Sequence, residues 1–110
     1  MTIQLHIKPL SVNEAWQGKR FKTPKYKAFE KEVLLMLPNY EIPEGELDVR
    51  FEFGLQRNAD VDNCCKNLLD ILQKRYSFND SRVMRIELIK KVVKKGKGYF
   101  NFSISGVNDK

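Results

Sequence analysis

The clearest structural signal in the chain is the sequence LDVRFEFGL at residues 47–55. Apolar residues at every second position alternate with Asp48, Arg50 and Glu52, which is the two-residue period of a strand with one buried face. Turn-forming Pro43 and Gly45 precede it. The pattern predicts a strand over residues 47–55 that contributes one face to the core.

Helical patterns lie on both sides of this strand. Thr23 before Pro24 is typical of a helix start, and Pro38 sets the end of that helix. Its expected apolar face consists of Phe29, Val33, Met36 and Leu37. A second helix is predicted over residues 61–75, capped by Asp60 or Asp62, with an apolar face of Cys65, Leu68, Leu69, Leu72 and Tyr76.

The remaining elements are strands. Alternation predicts strands over residues 3–7, 83–93 and 99–105, with a loop over residues 11–22. In the third predicted strand we expect Met84, Ile86 and Leu88 to point inward, and residues 95–98 predict a hairpin to the fourth. The order β-α-β-α-β-β predicts an α/β (α+β) fold, in which one domain over residues 1–110 holds two helices on a mixed four-stranded sheet.

Composition indicates a folded domain. The chain has 110 residues, 42% of them hydrophobic and 31% charged, a balance that argues against disorder. The longest apolar run, residues 33–37, is too short to cross a membrane, and the first ten residues lack the apolar core of a signal peptide. We therefore expect a cytoplasmic protein with no membrane partner. Adjacent Cys64 and Cys65 are expected to be reduced and packed in the structure.

Charge is segregated along the chain, whose net charge is +6. Residues 19–31 hold six basic side chains and one acid, and residues 90–97 hold five lysines, whereas residues 41–62 hold seven acids and two arginines. The pattern suits an enzyme that holds nucleic acid with lysines and a metal with carboxylates, although solvated faces would have the same composition. The candidate DNA-binding residues are Lys19, Arg20, Lys22, Lys25, Lys27, Arg57, Lys94, Lys95 and Lys97.

Candidate chemistry lies at the junction between the central strand and the second helix. If the backbone stays extended, Asp60 and Asp62 point to the same side, about 6 to 7 Å apart, and can converge on a hard cation such as Mg²⁺. Asp80, in the loop after the helix, is a third candidate ligand. Lys66 follows Asp62 by one helical turn, within reach of charge beside the metal. The same residues also suit a cap, a turn and a surface ion pair.

The whole constellation resembles the RusA family of Holliday junction resolvases, which are common in phages and prophages. The resemblance is carried by residues 60–63 (Asp-Val-Asp-Asn), then Lys66, Asp70 and residues 79–83 (Asn-Asp-Ser-Arg-Val). It extends to residues 9–13, which are similar to the family's turn after the first strand, and to the lysine-rich segment near the end.

This resemblance implies a homodimeric, Mg²⁺-dependent endonuclease that cuts four-way DNA junctions symmetrically. It implies that Asp60, Asp62 and Asp80 bind the metal, that Lys66 is a catalytic lysine, and that the protein acts in the host cytoplasm if phage-encoded. Branched DNA is then the expected partner, with no small-molecule substrate. Two features depart from the family: Asn79 stands where relatives can carry an acid, and Arg57 is the one basic residue retained before the Asp60 motif.

Two alternatives remain open from the sequence. A non-catalytic basic module would bind nucleic acid and use its acidic residues as caps and solvated charge. A different metal nuclease would act on other branched DNA or on RNA. Dependence of cleavage on Mg²⁺ separates the first alternative from an enzyme, and the choice of substrate separates the second.

Overall fold

Six strands and two α-helices make up the part of the chain that the computed structural model describes, which is residues 2–11, 15–17 and 21–107. In chain order they are β1 (Ile3–Leu5), β2 (Trp16–Gln17), β3 (Phe21–Lys22), α1 (Pro24–Met36), β4 (Leu47–Leu55), α2 (Cys65–Tyr76), β5 (Val83–Val92) and β6 (Tyr99–Gly106). Short 3-10 helices at Val61–Cys64 and Asp80–Arg82 lead into α2 and β5. No helix in these residues is both long and apolar enough to span a bilayer.

The main sheet is mixed and has the strand order β1-β6-β4-β5. Strand β4 runs parallel to β5 and antiparallel to β6, and β6 runs antiparallel to β1. This confirms the predicted α+β class, a single small domain with two helices and a mixed four-stranded sheet. The strand predicted at residues 47–55 is confirmed over the same residues.

The predicted hairpin between β5 and β6 is wrong, because β4 lies between these two strands. Residues 93–98 cross the carboxyl end of β4, where the Val93 amide donates a hydrogen bond to the Leu55 carbonyl at 2.8 Å. The apolar side chains of β4 explain the arrangement. Since Val49, Phe51 and Phe53 are fully buried, β4 is stabilised in the centre of the sheet, with a paired strand on each side.

The core lies between one face of the sheet and the two helices. Phe51 is paired with Phe102 and Phe53 with Phe100, and all four rings are fully buried. Helix α1 adds Tyr26, Phe29 and Val33, and helix α2 adds Leu68, Ile71 and Leu72. The opposite face of β4 carries Asp48, Arg50 and Glu52, none of which is buried. The sheet is thus apolar on its helix side and polar on the other.

Helix α1 begins where the sequence predicts. The Thr23 hydroxyl accepts a hydrogen bond from the Tyr26 amide at 3.2 Å, and Pro24 occupies the first turn. The expected inward position of Met36 is wrong, since 46% of this residue is exposed. The buried face of the helix starts at Tyr26, one turn before the predicted Phe29, and Leu37 directly after the helix is buried as well.

Helix α2 is rotated relative to the sequence prediction. Asn67 and Ile71 are fully buried, whereas Cys65, Leu69 and Tyr76 are half-buried. The predicted face left out Ile71, which lies three residues after Leu68 and centres the buried stripe between these two residues, away from Leu69 and Tyr76. Cys64 and Cys65 are free cysteines, as expected.

Strand β5 also differs from its prediction. Met84 and Ile86 are 52% and 42% exposed, and of the three residues expected inside, Leu88 alone packs against the core. The reason is that β5 is an edge strand of the sheet. Elsewhere, β1 is shorter than predicted, and the region predicted as a loop contains the small antiparallel pair β2–β3.

Candidate functional site

A cleft of about 350 Å³ opens at the carboxyl end of β4. Its walls are the segment after β1, the turn that follows β4, and the crossover at residues 93–98. Lys8, Lys94 and Lys95 line it together with Asp60. Ligand sites in α/β sheets lie outside the carboxyl ends of strands, and this cleft has that position.

Two glycines permit close packing around this cleft. A Cβ at Gly54 would lie 2.2 Å from the ring of Tyr99, and one at Gly98 would lie 3.1 Å from the Cα of Lys8. A larger residue at Gly54 therefore requires Tyr99 to move. At Gly98 it would push against the main chain of the segment after β1.

The backbone at the Asp60–Asp62 junction is not extended throughout. The backbone of Asp60 is extended, with φ −91° and ψ 127°, but the chain turns into the 3-10 helix at Val61. The prediction that Asp60 and Asp62 lie on one extended segment is therefore wrong. Asp60 occupies the N-cap position without a side-chain capping bond, and its carboxylate accepts a 3.5 Å bond from the Asn63 side chain. Asp60 and Asp62 are both exposed, and neither forms an ion pair with any residue that the structure describes.

The turn that carries Asp60 is held by a lysine. The Lys90 ammonium group donates to the carbonyl oxygens of Arg57, at 2.7 Å, and Ala59. Lys90 therefore fixes the backbone immediately before Asp60 to strand β5. Sequence reasoning placed Lys90 in a run of phosphate-binding lysines and missed this positioning role, because only the tertiary structure brings β5 beside the turn.

Asn67 is a second positioning residue that sequence reasoning missed. Its side-chain amide donates to the Leu10 carbonyl at 2.8 Å and is fully buried. Because Lys8, Pro9 and Ser11 line the cleft, this bond fastens one wall of the cleft to helix α2. The one local signal for this role is helical spacing, because Asn67 lies four residues before Ile71 on the apolar side of α2.

Asp80 lies at the other end of the sheet. Because β4 and β5 are parallel, Val83 pairs with Leu47 at the amino end of β4, whereas Asp60 follows its carboxyl end. Nine residues of strand separate these ends by roughly 25 Å. Among the described residues, no group of three or more His, Cys, Asp and Glu side chains lies close enough to hold one metal ion. One chain thus does not bring Asp60, Asp62 and Asp80 together.

The surroundings of Asp80 place it beside helix α2. Its amide donates to the Gln73 side chain at 3.1 Å. The preceding Asn79 caps the 3-10 helix, because its side-chain oxygen accepts a 2.9 Å bond from the Ser81 amide. In this chain Asn79 therefore stabilises the turn that carries Asp80.

Lys66 and Asp70 follow Asp62 at intervals of one turn. Lys66 is exposed and forms no ion pair with a described residue, whereas Lys74, one turn beyond Asp70, is paired with Glu30 at 3.4 Å. The pKa of Asp70 is raised mainly because partial burial removes water from its carboxylate, although the side chain keeps some contact with solvent. The Asp80 and Glu30 carboxylates raise it further. Lys66 and Lys22 oppose this rise. The Lys66 ammonium group is thus available to another anion.

We expect Asp70→Asn to increase the free energy of unfolding at pH 7. Because the pKa of Asp70 is higher in the folded protein, the folded state binds more protons between the ordinary aspartate pKa and the raised value. Stability is lost as the pH rises through that window, and the neutral amide removes this loss. Urea unfolding at pH 7 and below the ordinary aspartate pKa measures the effect, which should shrink at the lower pH. An equal change in the free energy of unfolding at both pH values would show that the effect does not come from the raised pKa of Asp70.

The candidate DNA-binding residues that the structure describes divide into three groups. Arg57, Lys94, Lys95 and Lys97 are exposed around the crossover and the turn after β4, and Lys25 and Lys27 are exposed on α1. Lys22 is paired with Glu30 at 3.2 Å and lies 5.0 Å from the centre of the Tyr26 ring. Lys19 and Arg20 lie outside the described residues. The cleft is therefore rimmed by the lysines of the crossover.

Exposed carboxylates can bind a metal ion and a lysine-rimmed cleft can bind a phosphate backbone, so this small α+β domain combines the groups that a metal-dependent nucleic-acid-processing protein needs. A family model described as endodeoxyribonuclease RusA matches residues 8–98. The chain therefore belongs to the RusA endodeoxyribonuclease family. Membership implies a Holliday-junction-resolving endonuclease, and nucleases of this family generally depend on a divalent metal. No curated protein matches the chain.

Proposed function

We propose that this protein is a Mg²⁺-dependent endonuclease that resolves four-way DNA junctions by paired symmetric cuts, acting as a homodimer. The observation that carries the proposal is a lysine-lined cleft that has the exposed Asp60 in its wall and is followed, two residues further along the chain, by the exposed Asp62, in a chain of the RusA family. Neither carboxylate is neutralised by an ion pair with a described residue. Their negative charge is therefore available to a cation.

The donor set fits Mg²⁺. This ion keeps several waters and is commonly bound through one or two carboxylates together with phosphate oxygens of the substrate. Asp60 and Asp62 would hold it, and when bound it would neutralise phosphate charge and supply a more acidic water. Because Asp80 lies at the opposite end of β4, its proposed contribution as a metal-binding residue requires a second chain.

The basic residues have two proposed roles, charge stabilisation at the scissile phosphate and binding of neighbouring phosphates. Lys66 is proposed as a catalytic residue whose ammonium group stabilises negative charge on the scissile phosphate. Lys94 and Lys95 line the cleft and would hold neighbouring phosphates, together with Arg57 and Lys97 around it. These phosphate contacts would make DNA binding strongly dependent on salt concentration, but they would not distinguish one base sequence from another.

A homodimer matches the symmetry of the substrate. A four-way junction presents equivalent strands about a two-fold axis, and a two-fold protein places one site on each. Two cuts are then made within one complex.

Cleavage of defined DNA tests the proposal. A synthetic four-way junction, a linear duplex and a flap are incubated with the protein, with Mg²⁺ or with EDTA, and the cut sites are mapped. We expect symmetric paired cuts confined to the junction and dependent on Mg²⁺. Equal cutting of the flap would indicate a nuclease of other branched DNA, and junction binding without cutting would indicate a non-catalytic module.

A further inference from the structure

We propose that the cleft at the carboxyl end of β4 receives one unpaired nucleobase of the bound DNA, held out of the base stack next to the scissile phosphate. The inference rests on the proposed function, because it takes junction DNA as the ligand, but it depends on neither metal nor cleavage. It follows from the size of the cleft, the chemistry of its walls, and two side-chain amides that bond no described residue.

The cleft has room for more than a phosphate group. Its volume is about 350 Å³, and three separate segments of the chain enclose it. Sites that hold small organic molecules have volumes from about 300 Å³ upward. A phosphate beside Asp60 occupies only part of this space, so the nucleoside attached to that phosphate can enter the rest.

The walls of the cleft are partly apolar. Pro9 lines it from the segment after β1, Ala59 from the turn after β4, and Val93 from the start of the crossover. Leu55 lines it at the end of β4 and is buried. Apolar walls suit the uncharged face of a base, whereas an oxyanion pays a high desolvation cost against them.

The lysines of the cleft are placed for the phosphates of the same strand. Lys8, Lys94 and Lys95 line the cleft and are exposed, and none of them forms an ion pair with a described residue. A lysine packs its apolar stem along a surface and keeps its ammonium group in water. The lysines would therefore hold phosphates at the opening while the base lies inside.

Gln56 and Asn58 supply polar groups for the edge of a base. Both line the cleft and are exposed, and neither side-chain amide forms a hydrogen bond with a described residue. The third amide of the cleft, on Asn63, already donates to Asp60. Each free amide carries donors and an acceptor, which match the hydrogen-bonding edges of nucleobases. A base that has left its pairing partner would regain hydrogen bonds from these two side chains.

Fluorescence of 2-aminopurine shows whether a base leaves the stack, because this analogue is dim when stacked and bright when unstacked. It replaces, one at a time, the bases nearest the crossover of a synthetic four-way junction, and the protein is added in EDTA so that no strand is cut. We expect a several-fold rise in fluorescence at one position on binding. None of the described residues that line the cleft is aromatic, so no ring there would quench the signal.

A double-mutant cycle locates the unstacked base. One change is Gln56→Ala combined with Asn58→Ala, the other is an abasic site at the bright position, and gel-shift titration in EDTA measures all four combinations. We expect the amide variant to bind the intact junction about tenfold more weakly, because two hydrogen bonds are lost. It should bind the abasic junction as the wild type does, since the base that the amides contact is absent. Circular dichroism verifies that the variant is folded.

Gln4→Ala combined with Asn39→Ala is the matched control. It removes the same two residue types from exposed positions that do not line the cleft, so fluorescence and affinity should stay at wild-type values. The proposal is overturned if no position brightens on the bound junction, or if the control loses as much affinity as the amide variant. Equal losses of the amide variant on intact and abasic junctions would also overturn it, because they indicate a phosphate contact. Every measurement is made without metal, so a failure of the base site is distinguishable from a failure of cleavage.

Discussion

Asp62→Asn is expected to reduce junction cleavage by about 100-fold or more while junction binding stays intact or becomes tighter. The substitution removes a proposed metal ligand, and charge neutralisation by a bound metal contributes several kcal/mol to phosphodiester hydrolysis, with each 1.4 kcal/mol worth about tenfold in rate. It also removes one negative charge near the phosphates, which does not weaken their contacts with the lysines. Single-turnover cleavage in Mg²⁺ and gel-shift titration without Mg²⁺ measure the two effects.

Glu32→Gln is the control for the loss of charge. Glu32 is exposed on helix α1, forms no ion pair with a described residue, and does not line the cleft. It should leave cleavage unchanged. If Asp62→Asn instead abolished junction binding, or altered stability and left cleavage untouched, the carboxylate would not be part of a metal site.

Local sequence signals were sufficient where the structure is set by near neighbours. The strict alternation of residues 47–55 predicts β4 over its full length. The Thr23-Pro24 start of α1 is confirmed because its cap is made by a hydrogen bond across three residues. Such elements need no knowledge of which strand or helix lies beside them.

Strand pairing could not be predicted from local sequence signals in the same way. The glycine-containing connection at residues 95–98 favours a hairpin, and β5 and β6 are antiparallel, but they pair with β4 instead of each other. The buried rings of β4 stabilise its central position, a long-range effect that no local turn signal reports. For the same reason, the exposure of Met84 and Ile86 depends on which strand lies at the edge.

The acidic motif was found, but its geometry was not. Its residue types and spacing indicate the family, which the match over residues 8–98 shows. The position of Asp80 depends on β4 and β5 being parallel, because the residues after one parallel strand and before the next lie at opposite ends of the sheet. The prediction of a mixed sheet did not state which strands are parallel, so the separation was not anticipated.

Lys66→Ala is expected to lower junction cleavage on the order of 100-fold while it weakens junction binding far less. Removing one group that stabilises charge developing in the transition state has about this effect on the rate. Lys66 is exposed and has no ion pair with a described residue, so its ammonium group is not already occupied by a carboxylate. Measuring the cleavage rate at saturating protein, together with the dissociation constant for the junction, separates the two quantities.

Lys74→Ala on the same helix controls for the loss of a cation. Lys74 lies two turns beyond Lys66 and is paired with Glu30, so its removal should change neither the rate nor the affinity by more than a small factor. Lys66→Arg keeps the charge and should recover part of the rate. A loss of affinity with an unchanged rate at saturating protein in Lys66→Ala would assign Lys66 to phosphate binding alone, because a contact made equally in the ground state and the transition state lowers affinity without lowering the rate of the bound complex.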